Sequence, residues 1–137
     1  MDQTASGRQF VFRGKVVSGR GEGQYFTQLS WVAEQFSIKL GFAPVAGTFN
    51  LQVAGEDQAL LDALKRLRGV TISPPEPGFC DAKCFPARIK SVAGALVIPL
   101  VENYPRNLLE IVAPVNLRRA LGVNDGEVVE VCVNPVS

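Results

Sequence analysis

Apolar residues recur along this chain with two periods, and the switches between them mark its elements. Phe10 to Val17 alternates loosely and is rich in aromatic and β-branched residues, which predicts a strand. From Thr27 to Leu40 the apolar positions are Leu29, Val32, Ala33, Phe36 and Leu40. That spacing predicts a helix stopped by Gly41. Thr48 to Val53 returns to period two, with Phe49, Leu51 and Val53 on one face and Thr48, Asn50 and Gln52 on the other. Thr48 and Asn50 therefore stand side by side, turned away from the apolar face. Glu56 to Leu67 predicts a short amphipathic helix carrying Leu60, Leu61, Leu64 and Leu67, and Ser73 to Gly78 a proline-rich turn. Ala82 to Ile89 and Ala93 to Val101 read as paired strands turning near Ser91, and Asn107 to Val112 as another strand. Pro114 to Leu121 fits a short helix, with Pro114 in its first turn and Gly122 as its cap. Asn124-Asp125-Gly126 is a turn before a last strand, Glu127 to Val133. Many short strands with a few short helices predict a mainly β, α+β chain: a β-barrel with helical decorations.

Composition narrows the possibilities further. A length of 137 residues suits one domain, with 1–9 as an N-terminal tail and 10–137 as the folded unit. With 47% hydrophobic and 20% charged residues, the chain can build a core and is unlike a disordered tail. Its net charge of +1 supplies no general attraction to nucleic acid or an anionic membrane, so neither is expected as a partner. No apolar run approaches the roughly 20 residues that span a bilayer. Met1 to Arg8 is polar and lacks a signal-peptide segment, so a cytoplasmic location is expected.

Three cysteines, Cys80, Cys84 and Cys132, do not make a disulfide framework. Cys80 and Cys84 have the spacing of a zinc pair, but zinc needs about four nitrogen or sulfur ligands and the chain has no histidine. Buried strand-edge thiols are expected instead. The lack of histidine also removes every histidine-dependent acid–base or triad mechanism.

Three stretches carry candidate chemistry. Ser18-Gly19-Arg20-Gly21-Glu22-Gly23-Gln24-Tyr25 is a glycine-rich loop after a strand. Its glycines let several N–H groups point at one anion, though a plain glycine-rich turn has the same composition. It lacks the Gly-Lys-Ser/Thr ending of a Walker A loop. Gly47-Thr48-Phe49-Asn50 offers a hydroxyl and an amide carbonyl on one strand face. These suit Mg²⁺ when phosphates and water complete its shell, and the alternative is a polar outer strand face. Glu110 sits in an apolar strand with Ile111, Val112 and Ala113 around it, which predicts partial burial and a need for a partner. It could accept a hydroxyl proton or orient a polyol, or else form a salt bridge with Arg118 or Arg119. A cradle, a hard-cation site and a carboxylate are the parts of a phosphoryl-transfer site. The unit from Leu117 to Val131 combines a short helix, a glycine cap, an Asp-Gly turn and a valine strand. It is similar to the helix–turn–strand of swapped-hairpin transcription regulators, which bind DNA as dimers.

Taken together, Gly14 to Tyr25, Leu40 to Leu51, and Glu110 to Arg118 with Leu121 to Gly126 resemble the archaeal-type CTP-dependent riboflavin kinases. The resemblance runs from about Phe12 to Val133. It implies a single-domain, riboflavin-kinase-like cradle-loop β-barrel. It also implies transfer of the γ-phosphate of CTP to the 5′-hydroxyl of riboflavin, giving FMN and CDP with Mg²⁺. In that family pattern, Arg20, Gly21, Glu22, Gly23, Gln24 and Tyr25 would wrap the nucleotide, and Val115, Asn116, Leu117 and Arg118 would contact it. Thr48 and Asn50 would hold Mg²⁺. Glu110 would contact the flavin and serve as the candidate base or orienting group. CTP/CDP and riboflavin/FMN are the implied partners, and a monomer is expected.

One stretch departs from the family. Between Pro99 and Glu110 the family carries a Lys/Arg-rich turn with Thr or Ser, followed by His. Here Glu102 aligns with the Thr/Ser that contacts the flavin phosphate. A carboxylate there repels a phosphate by about 1 kcal/mol in water and several at protein-like dielectric. Arg106 or a local shift compensates, or the acceptor pocket has changed. The other functions in view are a related kinase with another small alcohol acceptor and a non-enzymatic DNA-binding barrel.

Overall fold

The computed structural model describes residues 9–19, 27, 29–75 and 80–135. The strands are β1 (Phe10–Val17), β2 (Phe49–Val53), β3 (Val70–Ile72), β4 (Ala82–Ile89), β5 (Val92–Pro99), β6 (Leu108–Val112) and β7 (Val128–Val133). The helices are α1 (Ser30–Leu40), α2 (Gln58–Lys65) and α3 (Leu117–Leu121), with a 3₁₀ turn at Gly55–Asp57. The sheet order is β3-β4-β5-β6-β2-β1-β7, and β7 returns to pair with β4. Six antiparallel strands thus close a barrel. β3 pairs with β4 along Ala82–Cys84, and β7 pairs with it along Ala87 and Arg88. Closure leaves the barrel no free edge, which an open sheet of this size would expose. This is the mainly β barrel with short helices that the pattern predicts.

Period two decides which side chains fill the barrel. Phe12 of β1, Leu51 of β2, Phe85 of β4 and Leu109 of β6 are fully buried in one interior cluster. Along β1 the intervening Val11, Arg13 and Lys15 are exposed. β4, β5 and β6 are covered on their outer face as well. There Val32 and Phe36 of α1 pack on Ile72, Cys84, Val97 and Val112 in a second cluster. Phe42 extends it, its ring centroid 5.8 Å from that of Phe36.

Several boundaries differ from the sequence expectation for local reasons. α1 starts at Ser30 rather than Thr27, because the Leu29 carbonyl accepts the N–H groups of Val32 and Ala33. α3 starts at Leu117 rather than Pro114: the Asn116 side chain accepts the Arg119 N–H at 3.0 Å and caps the helix there. Gly41 and Gly122 end their helices in the left-handed conformation, as expected. The Glu56–Leu67 segment divides into a 3₁₀ turn and α2. The three-residue β3 is too short to leave a periodic signal, and part of the proline-rich turn (76–79) lies outside the described residues. Among the described residues no helix is long and apolar enough to cross a membrane.

The thiols do not share one environment. Cys84 is buried in β4 and Cys132 is half-buried, but Cys80 precedes β4 and is exposed, against the expectation of a buried thiol. Burial pushes the Cys84 thiol up to about 12. Cys80 should therefore react with a thiol reagent in the native state, while Cys84 should react only after unfolding. Time-resolved labelling with mass mapping checks this order.

Gly94 of β5 tests the packing between strands. A Cβ added there would lie 2.3 Å from the Val112 carbonyl oxygen, a backbone atom with little room to retreat. Gly94→Ala should destabilise the fold by about 1–3 kcal/mol, read as a fall in denaturation midpoint at constant m-value.

Candidate functional site

β2 and β6 pair antiparallel with Asn50 opposite Glu110. Their neighbours Phe49, Leu51, Leu109 and Ile111 point into the barrel, so Asn50 and Glu110 share its outer face. β1 flanks them on the other side, with Val17 opposite Asn50. The chain leaving β1 then passes over Asn50 at Gly19. A Cβ on Gly19 would lie 2.4 Å from Asn50 Nδ2, so glycine permits this crossing. Asn50 is 6% exposed, and the alternative of a polar outer strand face does not hold for it.

Thr48 completes the group. Its hydroxyl lies 3.2 Å from Asn50 Oδ1 and 3.2 Å from Glu110 Oε1. Asn50 Nδ2 donates to the Thr48 carbonyl at 3.3 Å, which turns Oδ1 toward the hydroxyl. One hydroxyl proton faces two acceptors, so three oxygens converge with too few hydrogens between them. Such an all-oxygen set fits a hard divalent cation whose shell is completed by water or phosphate. Among the described residues no three Cys, Asp or Glu side chains cluster to hold a metal by themselves.

Glu110 is half-buried, as its apolar neighbours suggest. The Tyr104 hydroxyl donates to Glu110 Oε2, leaving Oε1 toward Thr48. Burial, reinforced by the Glu110 charge, pushes the Tyr104 phenol well above its ordinary value. Tyr104 is therefore a permanent donor. Sequence reasoning passed over it. The available signal was a lone phenol ahead of Pro105 in the loop feeding the carboxylate strand.

Arg118 and Arg119 do not supply the salt bridge considered for Glu110. The Arg118 guanidinium donates to Asp125 and, at 3.3 Å, to the Val17 carbonyl. Ser18 donates to the other Asp125 oxygen at 2.7 Å. The Ser18 hydrogen bond, then Arg118, holds the Asp125 carboxyl below the usual carboxylate range. This network ties the end of β1 to α3 and to the turn before β7.

Two clefts meet at Thr48. One, of about 270 Å³, is bounded by Val45–Phe49, Ile111, Ala113 and Val115–Arg118. The other, of about 390 Å³, is bounded by Ser18, Gly19, Asn50, Val101–Pro105, Leu108 and Glu110 as well as Thr48. The predicted residues thus fall into three groups. Thr48, Asn50 and Glu110 come together. Val115, Asn116, Leu117 and Arg118 line the adjoining cleft. Arg20, Gly21, Glu22, Gly23, Gln24 and Tyr25 lie outside the described residues.

Glu102 is exposed at the larger cleft, in a turn with Asn103, whose φ is 65°. Arg106 does not compensate it. Its guanidinium pairs with Asp62 of α2 at 2.5 Å and does not line the cleft. The same hydrogen bond, followed by that from Gln58, lowers the Asp62 carboxyl below its ordinary range.

Known proteins resemble this chain in sequence. The profile of the CTP-dependent riboflavin kinase family, described as a domain of unknown function (DUF120), matches residues 16–133. A protein named riboflavin kinase from Archaeoglobus fulgidus is 42% identical over 122 residues, covering 87% of this chain and 52% of the relative. Another of that name from Methanocella arvoryzae is 43% identical over 126 residues, covering 88% and 56%. A third, from Ignicoccus hospitalis, is 41% identical over 126 residues, covering 88% and 69%. The chain spans about half the length of the first two of these relatives. With the family profile matching over most of its length, and the relatives at about 40% identity, the chain belongs to the CTP-dependent riboflavin kinase family.

Proposed function

We propose that this chain transfers the γ-phosphate of CTP to the 5′-hydroxyl of riboflavin, giving FMN and CDP. The observation that carries this reading is the convergence of Thr48, Asn50 and Glu110 where two clefts meet. A phosphoryl transfer needs a donor and an acceptor approaching one point from opposite sides, and Thr48 borders both spaces. The names of the family and of its relatives support riboflavin as acceptor and CTP as donor.

In this reading Val115, Asn116, Leu117 and Arg118 contact the nucleotide, together with Arg20, Gly21, Glu22, Gly23, Gln24 and Tyr25. Asn116 has its side chain committed to capping α3, and Arg118 is held by Asp125, so this wall is preorganised. Thr48 and Asn50 would hold Mg²⁺, which would supply neutralisation of phosphate charge. Glu110 orients the acceptor hydroxyl through Oε1, and Tyr104 fixes the carboxylate from the other side.

The acceptor O–H bond breaks as its oxygen bonds to the γ-phosphorus, and the proton passes toward Glu110. The bond from that phosphorus to the bridging oxygen breaks, and CDP leaves with the electron pair. Little covalent chemistry is asked of the protein. Its contribution is position and electrostatic complementarity.

Purified protein incubated with riboflavin, Mg²⁺ and either CTP or ATP should yield FMN, resolved by chromatography, with CTP and not with ATP. A folded protein yielding no FMN from either nucleotide would overturn the reading. Thr48→Ala or Asn50→Ala should each lower turnover by about 10²–10³-fold, the size of losing one preorganised electrostatic group. Their melting temperatures should stay within a few degrees of the parent. A double variant with full activity would remove the magnesium assignment. Tyr104→Phe should lower kcat by about tenfold, as loss of an outer-shell partner does, with KM for the nucleotide unchanged.

A further inference from the structure

Phosphorylating an alcohol changes the charge of the molecule in the acceptor cleft. A neutral hydroxyl becomes a phosphate monoester carrying about −1.5 to −2 at neutral pH. The described lining of the larger cleft contains two carboxylates, Glu102 and Glu110, and no lysine or arginine. Arg106 is paired with Asp62, and Arg118 with Asp125, and neither borders this space. Glu110 has its two oxygens engaged by Tyr104 and Thr48. Glu102 is different: it is exposed and has no hydrogen-bond or ion-pair partner among the described residues.

A carboxylate held at the mouth of a ligand cleft without a partner contributes its charge to whatever enters. For a neutral polyol that charge is tolerable, since an alcohol can donate to it. For a phosphate monoester it is repulsive, and a partly desolvated cleft strengthens the repulsion. The apolar part of the wall, from Val101, Tyr104, Pro105 and Leu108, is indifferent to this change.

We propose that Glu102 is a specificity-determining residue of the acceptor cleft: it favours the uncharged alcohol and speeds departure of the phosphorylated product. The proposal rests on the reading of this cleft as the flavin acceptor site. It assigns Glu102 no part in the transfer step itself. The residue acts on the difference in charge between what enters and what must leave.

Flavin fluorescence quenching gives the test, with riboflavin and FMN titrated into the parent protein and into Glu102→Gln without added Mg²⁺ or nucleotide. Glu102→Gln removes the charge and keeps the size, and its melting temperature should match the parent. At low ionic strength the variant should bind FMN about three- to tenfold more tightly, with riboflavin affinity changed less than twofold. At about 0.5 M salt the gain for FMN should largely vanish, because a through-space charge effect is screened. Riboflavin binding by the parent, with FMN affinity unchanged or weakened in Glu102→Gln, would overturn this proposal alone. So would equal tightening of both flavins, since that reports a packing effect. A parent protein that binds neither flavin would overturn the acceptor reading and this proposal with it.

Discussion

The register of β2 against β6 is the constraint on which the candidate site depends. Placing Asn50 opposite Glu110 puts an amide and a carboxylate on neighbouring strands, on one face. A slip of one residue would set Asn50 opposite Leu109 or Ile111, so that either Asn50 turns into the barrel or an apolar residue of β6 turns out. The slip is opposed by the core, because Leu51, Leu109 and Ile111 belong to the interior cluster. Packing of apolar side chains inside the barrel therefore holds the polar constellation outside it. Closure through β4 and β7 removes the sliding freedom an open sheet would keep.

Around that pair the chain adds groups from loops rather than strands. Thr48 precedes β2, Tyr104 arrives between β5 and β6, and Gly19 lies just past β1. Each loop is fastened near the site. Gly47 donates to the Thr27 hydroxyl at 2.7 Å, just before Thr48. Tyr104 is fastened by Glu110, and the root of the glycine loop by the Ser18–Asp125–Arg118 network. Hydrogen bonds to charged groups are stronger than neutral ones, so the carboxylates Glu110 and Asp125 are effective anchors for otherwise irregular backbone. The outcome is an oxygen cluster at the boundary of two clefts of unlike character. One is walled by the start of α3 and the apolar Val45 and Val115, the other by two carboxylates and a phenol.

Much of this was legible in the residues alone. Loose alternation in β1, clear alternation in β2 and a helical apolar spacing before Gly41 identified those elements within a few residues. The same alternation placed Thr48 and Asn50 side by side. Glu110 stood out as a lone carboxylate in an apolar strand, and its half-burial follows from those neighbours. β4 and β5 read as strands from their length and apolar runs. That they are buried on both faces emerged from the packing of α1 against their outer side. Start positions of α1 and α3 were less legible, because a carbonyl at Leu29 and a capping amide at Asn116 decide them.

Local order along the chain was thus encoded in short-range patterns, since period two and period 3.6 are consequences of backbone geometry acting on neighbours. Distant contacts have no such signature. Nothing in the spacing of Tyr104 and Glu110 foretells their hydrogen bond, and nothing in the chain order foretells that Arg118 pairs with Asp125 instead of Glu110. The same is true of Arg106, which turns to Asp62 and leaves Glu102 without a countercharge among the described residues. Choices between charged partners depend on three-dimensional distance, and that distance exists only once the barrel has closed.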